Sequence, residues 1–298
     1  MSKLKLILII AVAVIFAAGD VTAQKKTQKT TKPAKEKMVS TSAITPKMVR
    51  ESIEVVSIPS GTFIMGEDYE DPYRPQFEWS FTVCFSHQVT LTGFKMGKYE
   101  ITNEQFVMFL NANKVGSDGK FNVNGYGDQY IVGGHDWGVK FNGGAWKSSP
   151  GKEKFPMINV SWHGAKAFAE WVGGSLPTEA QWEYACIADG KDYSSGEYTW
   201  RSSNSPLHTL KVGQKKPNSL GLYDMNGNVS EICNDFWEQT TRRPEPSTNP
   251  TGPMRGSRYV LKGGNFTDAE FLCQPWYRNS AELTEGDYNI GFRIVFSE

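Results

Sequence analysis

The chain lacks any apolar run long enough to cross a bilayer. The longest, Leu6 to Ala18, is about 13 residues, against the roughly 20 that a spanning helix needs. Its flanks give it another meaning. Lys3 and Lys5 stand ahead of it and Val21-Thr22-Ala23 lies behind it, before Gln24, the positive, apolar and small-residue order of a cleavable export signal. Residues 1–23 are therefore expected to be a signal peptide, and the mature protein to be periplasmic, cell-surface or secreted, with no membrane span. No Cys follows the run, which removes the usual lipid-anchored alternative.

Large apolar side chains are almost missing from residues 24–50, which hold eight Lys and Arg against one acid, Glu36. Such a composition cannot repay its ordering entropy and predicts a basic disordered linker. Net charge is missing overall, with 32 Lys and Arg against 32 Asp and Glu. Residues 51–298, however, carry 22 against 30 and no basic stripe, which argues against a nucleic-acid partner. That segment suits one core, and no Pro/Ser-rich break divides it, so a single domain is expected over 51–298. Cysteine is scarce and even in number: Cys84, Cys186, Cys233 and Cys273. In an oxidising compartment four cysteines permit two disulfides in three connectivities.

The general catalytic signatures are also absent: there is no G-x-S-x-G elbow, no phosphate-cradling loop, no H-E-x-x-H and no paired C-x-x-C. The four His (His87, His135, His163, His208) lie far apart with no second His at ligand spacing, which favours hydrogen-bonded histidines over a zinc site.

What the chain has is Gly, Asn and aromatic residues, nine Trp among them, with few long periodic stretches. Short strands and turns under irregular loops follow, an α+β class with few helices. Three helix starts are legible. Thr102 with Gln105 can satisfy orphan amides reciprocally. Ser161 precedes Ala165, Phe168, Ala169 and Trp171, with a stop at Gly173-Gly174, and Thr178 with Gln181 opens a third helix ending near Gly190. Residues 55–58, 89–91, 259–261 and 292–295 read as strands. The Gly-rich segment 114–155 reads as a long insertion or functional loop outside the core.

One segment combines carboxylates with tight curvature: Gly221-Leu222-Tyr223-Asp224-Met225-Asn226-Gly227-Asn228-Val229-Ser230-Glu231. A hard cation such as Ca²⁺ needs six to eight oxygens, and a strongly curved chain can aim carbonyls inward beside its acids. Taken alone, an Asn-Gly hairpin turn is the simpler account.

Several segments in order then resemble the formylglycine-generating-enzyme (sulfatase-modifying factor) family. They are Ile58-Pro59-Ser60-Gly61-Thr62-Phe63-Ile64-Met65-Gly66, Lys98 to Phe106, Pro156 to Trp162, Leu176 to Ala185, the 221–231 turn with Asp235-Phe236-Trp237, Lys262-Gly263-Gly264-Asn265-Phe266, and Asn289-Ile290-Gly291-Phe292-Arg293. Together they cover roughly residues 53–296. The resemblance implies an α+β fold related to C-type lectins, with little regular structure. It also implies Ca²⁺ at the turn, held by the side chains of Asp224 and Glu231 and the carbonyls of Gly227 and Val229.

Family members that oxidise a sulfatase cysteine to formylglycine carry two Cys five residues apart after the Gly-Gly, for Cu(I) and the substrate thiol. Here those positions are Asp268 and Cys273. A carboxylate is a poor substitute for a soft thiolate toward Cu(I), so Cu(I) is not expected to bind. The family's Trp in the turn is Ser230 and its Ser after the Gly-Gly is Asn265, while the pocket Asn is kept as Asn289. Cys273 and Asn289 remain the candidate catalytic residues. The resemblance equally allows a structural disulfide between Cys233 and Cys273, leaving Cys84 and Cys186 for a second bridge or two buried thiols.

Two functions follow from these residues. One is a divergent, non-catalytic binding or scaffold module at the cell envelope, with a protein or glycan partner, sulfatases included. The other is a formylglycine-generating oxidase with a non-standard metal arrangement. A non-haem iron oxidase is a weaker third, since no His cluster exists.

Overall fold

In the computed structural model the described residues are 43–67, 83–187, 189–191, 193–238, 240–241, 246–284 and 286–298. The expected signal peptide and the linker up to residue 42 lie outside them. One unit runs from Ser42 to Glu298. Its order begins before residue 51, in a short helix α1, Pro46–Glu51. Thr45 accepts at its hydroxyl from the Met48 amide and Pro46 occupies the first turn, where its missing N–H costs nothing. Val49, wholly buried, pins this helix to the core. The end of the supposed linker is thus domain.

The three helix starts form where their caps placed them. In α2, Asn103–Ala112, Gln105 Oε1 accepts from the Thr102 amide at 3.0 Å. In α3, Trp162–Trp171, Ser161 caps through Gly164 N. In α4, Glu179–Ile187, Thr178 and Gln181 exchange both hydrogen bonds. The strands are short and gather into small sheets. One antiparallel sheet joins Val55–Ile58, Phe94–Gly97 and Val295–Ser297. A four-stranded sheet is ordered Asn279–Glu282, Arg258–Lys262, Ser230–Phe236 and Ile290–Gly291, its last pair parallel. Among the described residues no helix is long and apolar enough to cross a membrane.

Three expectations need correction. The strand over 292–295 is interrupted, because Arg293 is buried there and its guanidinium reaches the Gly97 and Tyr223 carbonyls. The segment 114–155 is not a loop outside the core. It folds into two hairpins, Lys120–Val123 with Gly127–Tyr130 and Val139–Asn142 with Ala145–Ser148, and buries Val123, Ile131, Val132, Val139 and Trp146. Its glycines serve the turns while most of its sparse apolar residues face inward, Tyr126 and Phe141 being exposed.

The third correction concerns the disulfides. Cys186, Cys233 and Cys273 are free, buried thiols, so neither a Cys233–Cys273 nor a Cys84–Cys186 bridge exists. Strand Ser230–Phe236 is covered on both faces, and Cys233 packs into the apolar cluster of Ile58, Met96, Trp182 and Val260. Cys273 instead ends a 3₁₀ turn, Glu270–Cys273, and lies against the Gly263-Gly264 turn.

Candidate functional site

Two loops are fastened together to build the site. The turn 221–228 is wound through left-handed conformations at Gly221, Asp224, Gly227 and Asn228. Gly227 is required, since a Cβ there would collide with the Trp200 carbonyl. The amide of Gly227 donates to the Gly263 carbonyl at 2.7 Å, and Phe266 N donates to Asn228 O at 3.1 Å. The turn of the 221–231 segment and the Gly-Gly turn are therefore held edge to edge.

The strand that leaves the first turn sends Ser230 and Glu231 to opposite faces, as strand alternation requires. On one face the side chains of Ser230, Asn265 and Asp268 meet. Asn265 Nδ2 donates to Ser230 Oγ at 3.1 Å and to Asp268 Oδ2 at 2.7 Å, and Asp268 Oδ2 also accepts from the Asn265 amide at 3.0 Å. Asn265 Oδ1 accepts from Thr267 N and Oγ1. The backbone of Asn289 joins the group, its carbonyl accepting from Ser230 N. The Asn265 side chain is thus fully engaged, and the position of the first family cysteine holds a carboxylate turned toward Asn265.

Cys273 lies close enough for the Asp268 charge to act on it. The sulfur is wholly buried, and burial first, then that negative charge, pushes the thiol up to about 12. It stays protonated at neutral pH. Burial likewise pushes Cys233 upward and lifts the Asp268 carboxyl.

On the other face Glu231 is wholly buried and held bidentately by Arg293, with Oε1–Nη2 and Oε2–Nε both 2.6 Å and Trp182 Nε1 donating to Oε2 at 2.8 Å. Asp224 is 3% exposed. Its Oδ2 accepts from Gly213 N, while Oδ1 has no hydrogen-bond partner. Burial raises its carboxyl to about 6. A third acid, Glu100, is buried beside them, its carboxylate accepting from Asn228 Nδ2 at 2.7 Å and Val229 N at 3.3 Å. Burial first, then the Asp224 and Glu231 charges, push it well above the usual carboxylate range.

Three buried acids thus face one guanidinium. Asp224, with an unpartnered buried oxygen, fits a cation site. Glu231 fits less freely, since three donors already occupy it. Among the described residues no three Asp, Glu, His or Cys side chains are arranged to hold an ion by themselves, so a cation here depends on carbonyls such as those of Gly227 and Val229. Copper does not fit: the donors at its place are a hydrogen-bonded carboxylate and a buried, protonated thiol.

Sequence reasoning missed Glu100 and Arg293 as partners in this cluster. The available signal was a charged residue amid apolar neighbours, Tyr99-Glu100-Ile101 and Phe292-Arg293-Ile294, each inside a segment already singled out.

Comparison with known proteins gives one consistent result. The profile of the sulfatase-modifying factor enzyme 1-like domain matches residues 40–298. A formylglycine-generating enzyme of Streptomyces coelicolor is 29% identical over 281 residues, which is 80% of this chain and 88% of that protein. A serine/threonine-protein kinase, pkn1, of Chlamydia pneumoniae is 33% identical across 70% of this chain, which spans only 34% of the kinase. Among solved structures, PvdO of Pseudomonas aeruginosa superposes with a TM-score of 0.64 at 23% identity, covering 83% of this chain and 95% of PvdO, a likeness of fold.

Proposed function

Since the chain belongs to the sulfatase-modifying factor enzyme 1-like family, we propose that it is an exported member that has given up copper-dependent oxidation and serves as a binding or scaffold module at the cell envelope. One observation carries the reading: Ser230, Asn265 and Asp268 form a single hydrogen-bonded network. The three side chains satisfy one another, which supports a polar arrangement in place of a copper site. The buried Cys273 thiol supports the same reading, because the thiolate is the nucleophile and the soft-metal ligand.

Export rests on the leader alone. The basic segment ahead of the domain suits reach or attachment to an anionic surface, and the partner is a protein or glycan of the envelope, sulfatases included. A bound Ca²⁺ would use Asp224, the Gly227 and Val229 carbonyls and Glu231, and would supply the positive charge that the buried acids lack.

The oxidase alternative is favoured by the relatives that carry that name. Incubation of the purified protein with Cu(I), O₂ and a C-x-P-x-R peptide separates the two. The binding-module reading expects no aldehyde product and no O₂ consumption above the peptide-free rate. Conversion of the peptide would overturn it.

A further inference from the structure

A second site lies where the start of α2 meets the end of α1. The pocket has a volume of about 230 Å³ and is lined by Ser52, Ile53, Ile101, Thr102, Lys154 and Lys211, among others. That is room for a small organic molecule rather than a single water. None of its lining residues belongs to the Ser230–Asn265–Asp268 network.

Its lining holds Lys154 and Lys211 beside the carboxylates of Glu54 and Glu100. Val212 N donates to the Lys154 carbonyl at 3.1 Å, which draws two chain segments together and sets Lys154 and Lys211 at one opening. Lys98 pairs with Glu54 and Lys154 pairs with Glu104. Lys211 is exposed and makes no ion pair among the described residues, so its ammonium is free at the opening.

The interior is apolar, with Ile53 and Ile101 buried and Val212 beside them. Two of its polar groups are already committed. Gln105 accepts from Thr102 N and donates to the Ser52 carbonyl, and the Glu100 carboxylate is turned to Asn228 and Val229.

We propose that this pocket binds a small organic carboxylate. Its charged end sits at Lys211 and Lys154, and its aliphatic body lies against Ile53, Ile101 and Val212. The carboxylate is either that of a free small acid or the C-terminus of a peptide, since capture of a terminal carboxylate is a recurrent recognition mode. The inference stands whether or not the protein oxidises anything.

Isothermal titration of the full mature chain with four probes tests it: N-acetyl-leucine, its amide, and the tripeptide acetyl-Ala-Ala-Leu with a free or an amidated C-terminus. At least one carboxylate is expected to bind, with its amide weaker by about tenfold, the effect of losing roughly 1.4 kcal/mol of charge-assisted bonding. Tighter binding of N-acetyl-leucine identifies a free acid as the source, and tighter binding of the tripeptide identifies a chain terminus. Lys211→Met, an exposed change that leaves the fold intact, should weaken the carboxylate alone. Failure of both carboxylates to bind, equal binding of acids and amides, or an unaltered Lys211→Met variant would each overturn the proposal.

Discussion

At the scale of single residues, the Arg293–Glu231 pair decides most. Both side chains are wholly buried, and removing one partner strands the other's charge. Arg293→Met should therefore destabilise the domain by about 3–5 kcal/mol, read from urea unfolding, whereas Trp182→Phe, which removes one donor to Glu231, should cost about 1–3 kcal/mol. Similar losses from the two would show that the ion pair is not the dominant element. Asp224 gives a pH signature. Its folded carboxyl titrates at about 6, above the ordinary 3.8, so the folded state holds the proton more tightly and this residue's contribution to stability falls as pH rises from about 4 to 6. Asp224→Asn in EDTA should gain in melting temperature relative to the parent as pH is raised from 4 to 7. A constant difference across that range would contradict the assignment.

At the scale of elements, the caps were readable in the sequence because they act within four residues, and Thr102, Ser161 and Thr178 open their helices as expected. Thr178→Ala should cost about 1 kcal/mol, measurable by thermal unfolding. The strand at 292–295 and the segment 114–155 were misread because their states are set by distant partners. Arg293 leaves the ladder to meet Glu231, and the Gly-rich segment is drawn into the core by α2 and α3. Pairing of cysteines depends on three-dimensional approach, so the even count gave no bridge. Gly264 illustrates the same dependence. Its φ is +67°, and a Cβ would stand 2.8 Å from Cys273 Sγ and from the Leu272 carbonyl. Gly264→Ala should lower the melting temperature, since the Leu272 carbonyl cannot yield without moving backbone.

At the scale of the whole molecule, the family's segments were legible because they are the turns, caps and buried charges that organise a fold with little regular structure. The proposed function was less legible, because it rests on contacts among residues 230, 265 and 268 that their spacing does not announce. A cation at the 221–231 turn would couple to global stability, because anything that binds only the folded state raises its melting temperature. EDTA should lower the melting temperature of the parent and leave Asp224→Asn unchanged. Asp224 is the better probe, since Glu231→Ala would also strand Arg293. An absence of any EDTA shift in the parent would remove the calcium proposal. The central claim is that hydrogen bonds among Ser230, Asn265 and Asp268 stand where the family resemblance would put a copper site. Competitive titration of the purified mature chain with Cu(I) against a chromogenic chelator tests it most directly. The account predicts no Cu(I) withdrawn by the parent protein, and stoichiometric capture of Cu(I) by that same protein would contradict it.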